Sequence, residues 1–229
     1  MWVSSFRSPK RVAPVLPYFT DFPLTENPIS ESGRWVSPPS YWHSQETGSG
    51  RCYPATPATA AADDCVAIYA GPGVNPLGNY IEGYLYWAGN GSYQSSSTHE
   101  AQLGVGCVAG ATTLRLYEMN FSHNGLFQGG RWDGDPNTFG GSAFVNQNGG
   151  PGGWGHNTFF RIEFEVISTV PNIRVYQDGQ LRGYIQDTDA SGNGPVTVGG
   201  PPAIIGFFRP TGDVVPANYC WEKIWVGNL

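Results

Sequence analysis

Long amphipathic stretches are missing from this sequence: no extended window of its 229 residues carries apolar residues at a sustained 3.6-residue spacing. That absence argues against helical bundles and against folds in which helices alternate with strands. Charged residues are also scarce, at 13% of the chain, whereas Gly and Pro number 32 and 19. Such a composition points to many short strands joined by turns. No segment approaches the roughly 20 apolar residues of a membrane helix, and the N-terminal apolar run is too short for a signal peptide. Twelve basic residues against eighteen acidic ones, a formal charge of −6, leave no general attraction to nucleic acid or to an anionic membrane. Neither is expected as a partner.

Cysteine is sparse too. Cys52, Cys65, Cys107 and Cys220 are too few and too scattered for a disulfide framework, and none stands at metal spacing with a histidine. Cys52 and Cys65 flank a Pro/Ala-rich loop and are candidates to pair; Cys107 and Cys220 sit in strand-like patterns, as buried thiols do. The redox state stays open. His43, His99, His123 and His156 stand singly, outside any H-E-x-x-H run and away from nucleophile motifs. The glycine runs near 149–155 follow no strand-to-helix pattern, so no phosphate-cradling loop is expected.

What the chain does have is alternation. Phe160, Ile162, Phe164 and Val166 alternate with Arg161, Glu163 and Glu165, the period-2 pattern of a strand with one buried and one wet face. A hairpin follows around Asp178-Gly179. A three-residue loop Gln177-Asp178-Gly179, with Gly179 as the left-handed bulge residue, pairs Val175 with Leu181 and Ile173 with Gly183, and makes one face wholly apolar. The other face then holds Arg174, Tyr176, Arg182 and Tyr184. Further strands are expected at 65–69, 80–88, 100–108, 113–121, 126–132, 203–209 and 220–226, with Ala101, Leu103, Val105 and Cys107 sharing a face. Residues 132–157 read as a long Gly/Asn/Pro loop, with a short strand at 142–145 as an option. Residues 1–18 carry Arg7, Lys10 and Arg11 among three prolines and no acidic residue, which suits an extended arm docked on a neighbouring subunit or a disordered leader. Nine to eleven strands without a helix imply an antiparallel sandwich in one domain over 19–229.

Five stretches taken in order, FTDFPLTENPISESGRW, HEAQLGV, YEMNFSHNGLFQGGRWDG, FFRIEFEVISTVPNIRVYQDGQLRGYIQDTD and AIIGFFR, resemble the concanavalin A-like or laminin G-like jelly rolls, of the divergent kind found in bacteriophage structural proteins. The likeness covers roughly residues 19–229, with 36–79 departing from it. It implies an all-β antiparallel jelly-roll sandwich, and a fold that hosts lectins, glucanases, adhesion modules and virion proteins alike.

Four chemistries are weighed on the residues. Glu163 and Glu165 share a strand face, as an acid and a nucleophile would. The glucanase pattern they resemble continues with a third carboxylate, where this chain has Ile167, so a solvated face with an Arg161–Glu pairing is the expectation and no catalytic residue is assigned. Asp133, Asp135 and Asn137 have the i, i+2, i+4 spacing of a calcium loop, and Asp187, Asp189 and Asn193 form a second polar turn, but turn chemistry accounts for both. No cofactor is expected, with Ca2+ as the weak alternative. Trp132, Asp133, Asn137, Trp154 and Asn157 cluster along one loop as a candidate glycan platform. The leading expectation is a non-enzymatic bacteriophage virion protein, a capsid decoration, cement or fibre component on the virion surface. It would contact other capsid proteins or itself as a homo-oligomer through the arm residues Arg7, Lys10 and Arg11. The alternatives are an extracellular carbohydrate-binding or adhesion module with a cell-surface glycan as partner, and a divergent glycoside hydrolase.

Overall fold

A computed structural model of the chain describes residues 16–37, 43–55, 63–88, 99–110, 113–122, 126–134, 139–147, 154–208 and 216–229. The arm residues Arg7, Lys10 and Arg11 lie outside them. The described chain forms fifteen strands: β1 (Tyr18–Thr20), β2 (Trp35–Val36), β3 (His43–Gly48), β4 (Arg51–Pro54), β5 (Asp63–Tyr69), β6 (Gly78–Trp87), β7 (His99–Ala109), β8 (Leu114–Ser122), β9 (Leu126–Asp133), β10 (Phe139–Gln147), β11 (Phe159–Ile167), β12 (Val170–Gln177), β13 (Gln180–Gln186), β14 (Ala203–Phe208) and β15 (Tyr219–Asn228). Their hydrogen-bonded order is β10-β9-β8-β7-β14-β5-β3-β4-β15-β6-β11-β12-β13, with β1 on β15 and β2 on β5. The ribbon curls on itself, because β3 pairs antiparallel with β4 and parallel with β5. The β10-to-β5 half, hereafter the first sheet, thus faces the β4-to-β13 half, the second sheet, as the expected jelly-roll sandwich.

The facing sides build one core. Ala101, Leu103 and Val105 of β7 and Tyr117, Met119 and Phe121 of β8 pack against Ile81 and Leu85 of β6, Phe160, Ile162 and Phe164 of β11, and Ile173 and Val175 of β12. The Phe121 and Phe160 rings stack with centroids 3.9 Å apart. Alternation in β11 is as expected: Phe160, Ile162 and Phe164 are buried, and Arg161, Glu163 and Glu165 lie on the opposite face. The opening loop closes on β1 through Glu31, whose carboxylate accepts from the Tyr18 and Thr20 hydroxyls and from the Trp35 indole N–H.

Four expectations are corrected. The β12–β13 hairpin turns on two residues, Asp178 and Gly179, both left-handed at φ 48° and 78°, with Gln177 opposite Gln180. The parity mismatch is absorbed within the strand, where Arg182 is the extra residue between the Tyr176–Leu181 and Val175–Gly183 pairs. Leu181 is therefore 56% exposed and does not join the core, while Ile185 does. In β7 a second bulge, at Gly106 with φ 65°, flips the strand, so Cys107 leaves the face of Ala101, Leu103 and Val105 and joins a separate outer cluster. Gly106 is required there, since a Cβ would meet the Phe164 ring at 2.9 Å. All four cysteines are buried free thiols, and Cys52 and Cys65 do not pair. Part of the 132–157 loop is strand β10, longer than the optional 142–145.

The chain crosses from the second sheet to the first between β13 and β14, and a buried ion network fixes that crossing. Arg131 of β9 and Asp187, both with fully buried side chains, pair at 2.6 Å, and the Tyr117 hydroxyl donates to the same carboxylate oxygen at 2.6 Å. Arg131 also donates to the Asp189 and Ser191 carbonyls, and Arg115 to those of Asn193 and Gly194. Asp189 and Ser191 N–H groups bond the Asp187 and Asp189 carboxylates two residues back, which is the turn chemistry expected of this run. Removing one partner strands a buried charge. Asp187→Ala should accordingly cost about 3–5 kcal/mol of unfolding free energy in urea denaturation.

Candidate functional site

Strands that point alternate residues into a core point the others away from it. In the first sheet those others are Glu100, Gln102 and Gly104 of β7, Glu118 and Asn120 of β8, and Gln128, Gly130 and Trp132 of β9. The register aligns them in rows: Gln102, Asn120 and Gln128 in one, Gly104, Glu118 and Gly130 in the next, with Glu100 opposite Ser122. On the β14 and β5 side the same face is apolar, and Val66, Ile68, Ala203 and Ile205 join Cys107, Leu114, Leu116 and Trp132 in a second buried cluster. One half of the face is oily, the other polar.

The polar half is buried as well. Gln102, Glu118 and Asn120 are only 2%, 4% and 5% exposed. Gln102 Nε2 donates to Glu100 Oε2 at 2.9 Å, and Asn120 also bonds this carboxylate. Burial raises the Glu100 carboxyl above the ordinary carboxylate range, against the smaller lowering by these two amides. With their N–H groups so engaged, the amide oxygens Gln102 Oε1 and Asn120 Oδ1 are left buried without a hydrogen-bond partner among the described residues. An orphaned buried acceptor typically costs about 1–3 kcal/mol, so two side by side mark a place where donors from outside are expected. Glu118 stands between two glycines, so no Cβ flanks it on β7 or β9. The arrangement suits a ligand rich in hydroxyl donors, and Glu100 is a carboxyl that keeps its proton to higher pH than usual.

The residues expected from sequence lie elsewhere. Trp132 is on this face but buried among the apolar residues; Trp154 is buried in the main core, edge-on to Phe160 at 5.3 Å. Asp133 points to the other side of β9, paired with Arg115 and Arg131 at 3.2 Å each. Asn157 is exposed in a left-handed turn whose N–H bonds Leu85. The structure does not gather these four, and Asp135 and Asn137 lie outside the described residues. Among the described residues no three His, Cys, Asp or Glu side chains are placed to hold a metal ion. Glu163 and Glu165 are on the second sheet. Arg161 pairs with Glu82 and Glu163 at 2.9 Å each, and Arg174 with Glu165 at 3.3 Å, so the Arg161–Glu pairing expected from sequence is present. Glu100, Gln102, Glu118 and Asn120 were missed. Their signal is polar residues on one parity of three consecutive strands whose other parity is apolar.

A raised carboxyl pKa sets the sign of a pH effect. Glu100 favours folding most while protonated, below the ordinary value near 4.3, and that contribution is lost as pH rises through its raised value. Glu100→Gln carries no charge at any pH. Its stability advantage over the wild type in urea should be absent at about pH 4 and grow toward pH 7.

Neither a protein-family description nor any curated protein sequence matches this chain. Solved structures do. The endo-1,3-beta-glucanase of Streptomyces sioyaensis, 13% identical, aligns over 95% of this chain and 99% of its own with a TM-score of 0.58. The endo-beta-1,3-glucanase of Pyrococcus furiosus, 11% identical, aligns over 93% and 94% at 0.53, and the Emp47p carbohydrate recognition domain, also 11% identical, over 92% and 94% at 0.53. These neighbours overturn the expectation of a non-enzymatic virion protein, which rested on likeness to bacteriophage jelly rolls: the similar structures are glucanases and carbohydrate recognition domains. At such identities the likeness is one of fold. The chain has the concanavalin A-like jelly-roll fold of lectins and glucanases.

Proposed function

We propose that this protein binds a carbohydrate on the outer face of β7, β8 and β9. The observation that carries the reading is the pair of orphaned acceptors, Gln102 Oε1 and Asn120 Oδ1, beside Glu100. Sugar hydroxyls are donors of the required kind, and satisfying two buried acceptors offsets a cost the free protein bears. The glucanases and carbohydrate recognition domains of the same fold support the ligand class.

A second reading is glycoside hydrolysis, favoured by the raised Glu100 carboxyl. A carboxyl that keeps its proton to higher pH than usual is better suited to protonate a leaving glycosidic oxygen, and Glu118 supplies another carboxylate on the same face.

Calorimetric titration with a soluble β-1,3-glucan oligosaccharide tests both. Gln102→Ala and Asn120→Ala should each weaken binding by about twofold to tenfold, the worth of one hydrogen bond. Glu163→Gln, on the opposite sheet, should leave it unchanged. Release of reducing sugar that disappears in Glu100→Gln while binding persists would establish the hydrolase; affinity indifferent to Gln102 and Asn120 would reject the site.

A further inference from the structure

We propose a second glycan site, for a uronate-containing sugar, on the outer face of the second sheet. It takes carbohydrate as ligand class from the reading above but uses none of the same residues. Four rings line up across four strands: Phe19 of β1, Trp225 of β15, Tyr84 of β6 and Phe159 of β11. Their successive centroid separations are 4.7, 5.9 and 4.9 Å. Phe19 is 46% exposed, and the other three rings are half-buried. None of the four belongs to the main core, which lies on the other side of the sheet. A contiguous, partly exposed aromatic strip on a sheet face is suited to recognition, and ring faces suit the flat apolar side of a sugar.

Charge selects the sugar. Toward β13 the face is self-neutralised, with Arg161 and Arg174 taken up by Glu82, Glu163 and Glu165. Toward β4 it is not. The Lys223 ammonium lies 5.8 Å from the Tyr84 ring centre, and the Arg51 guanidinium sits 3.5 Å over Tyr86. Neither cation has an ion-pair partner among the described residues, and Lys223 is the one lysine among them. In a protein of net charge −6, two cations without an ion pair among the described residues, at the edge of an aromatic strip, complement an anion carried on a ring. Glu82, opposite Trp225 in the register, and Glu222, beside Lys223 in sequence, disfavour a densely charged phosphate backbone. A uronate, with one carboxylate to a ring, brings less negative charge against these glutamates than a phosphate backbone does.

The test is titration of the full chain with oligogalacturonate, and separately with the neutral β-1,3-glucan, at low and high salt. Trp225→Ala should weaken galacturonate binding by more than about tenfold, as loss of a central aromatic contact does. Lys223→Glu should weaken it by up to about fivefold at low salt, with the difference shrinking at high salt. Glu100→Gln should leave it unchanged. Galacturonate affinity untouched by both second-sheet variants overturns the proposal. So does equal binding of the neutral glucan at this face, or a concentration-dependent dimer in light scattering that Trp225→Ala dissociates. Loss of glucan binding in Gln102→Ala with galacturonate binding intact would show the two sites to be separate. Failure of glucan to bind at all, with galacturonate still sensitive to Lys223, would reject the β7–β9 site and leave this one standing.

Discussion

The contact between Arg131 and Asp187 holds together more of this molecule than its single 2.6 Å distance suggests. Asp187 begins the crossing from β13 to β14, the step by which the chain leaves one sheet and enters the other. Arg131 belongs to β9, Tyr117 to β8, and both bond the Asp187 carboxylate. Two strands of the first sheet's polar half, β8 and β9, are therefore referenced to the end of the second sheet through one buried charge pair. Such a pair adds little net stability against an apolar replacement of both partners, but loss of either alone is costly. Its value here is positional. On its far side β8 presents Glu118 and Asn120, and β7, paired to it, presents Glu100 and Gln102, so the polar cluster is positioned from the strand that the network holds.

Two sets of carboxylates show how environment, not spacing, decides chemistry. Glu163 and Glu165 stand two apart on one strand face, the pattern that sequence associates with paired catalytic carboxylates. Arginines on the same strand and on β12 neutralise them. Among the described residues no arginine bonds Glu100; its partners are two neutral amides, and burial pushes its carboxyl up. Neutral donors stabilise an ionised carboxylate less than a guanidinium does, so desolvation wins at Glu100. The amides that serve Glu100 do so with their N–H groups, which leaves their oxygens unpaired. The raised carboxyl and the orphaned acceptors are thus one phenomenon: a polar cluster with donors and acceptors in the wrong proportion for itself and the right proportion for a polyhydroxylated ligand.

The fold was legible where one strand face is apolar. β6, β7, β8, β11 and β15 announce themselves because Ile81, Leu103, Met119, Ile162 and Ile224 recur on one parity. β3 does not, because its inward residues are Gln45 and Thr47, buried polar groups satisfied by the Cys65 carbonyl and by Leu24 and Glu26. Apolar periodicity cannot reveal a strand whose buried side is polar. The turn between β3 and β4, at the left-handed Ser49 and Gly50, has the same two-residue form as Asp178-Gly179 but lacks apolar flanks to point to it. The candidate site was hidden for a related reason. A glutamine or asparagine at an outward position reads as ordinary solvent-facing polarity, and only the register of three neighbouring strands shows that these residues are adjacent and buried.

Bulges explain where simple alternation failed, and they also shape both faces. In β7 the bulge at Gly106 exchanges the strand's two sides beyond Val105, so Cys107 joins Glu100 and Gln102 on the outer face and Val108 turns to the core. That exchange makes the face half polar and half apolar along one strand. In β15 the irregularity between Trp221 and Lys223 sends Trp221 into the core, yet places Lys223 and Trp225 together on the outside. Without it, the strict two-residue period that buries Trp221 would bury Lys223 and Trp225 as well. The extra residue in each strand therefore does what a regular strand cannot: it keeps the core continuous while changing which side chains the outer surface receives. Core packing and surface chemistry are under separate control in this sandwich, and the bulges are the points at which they are uncoupled.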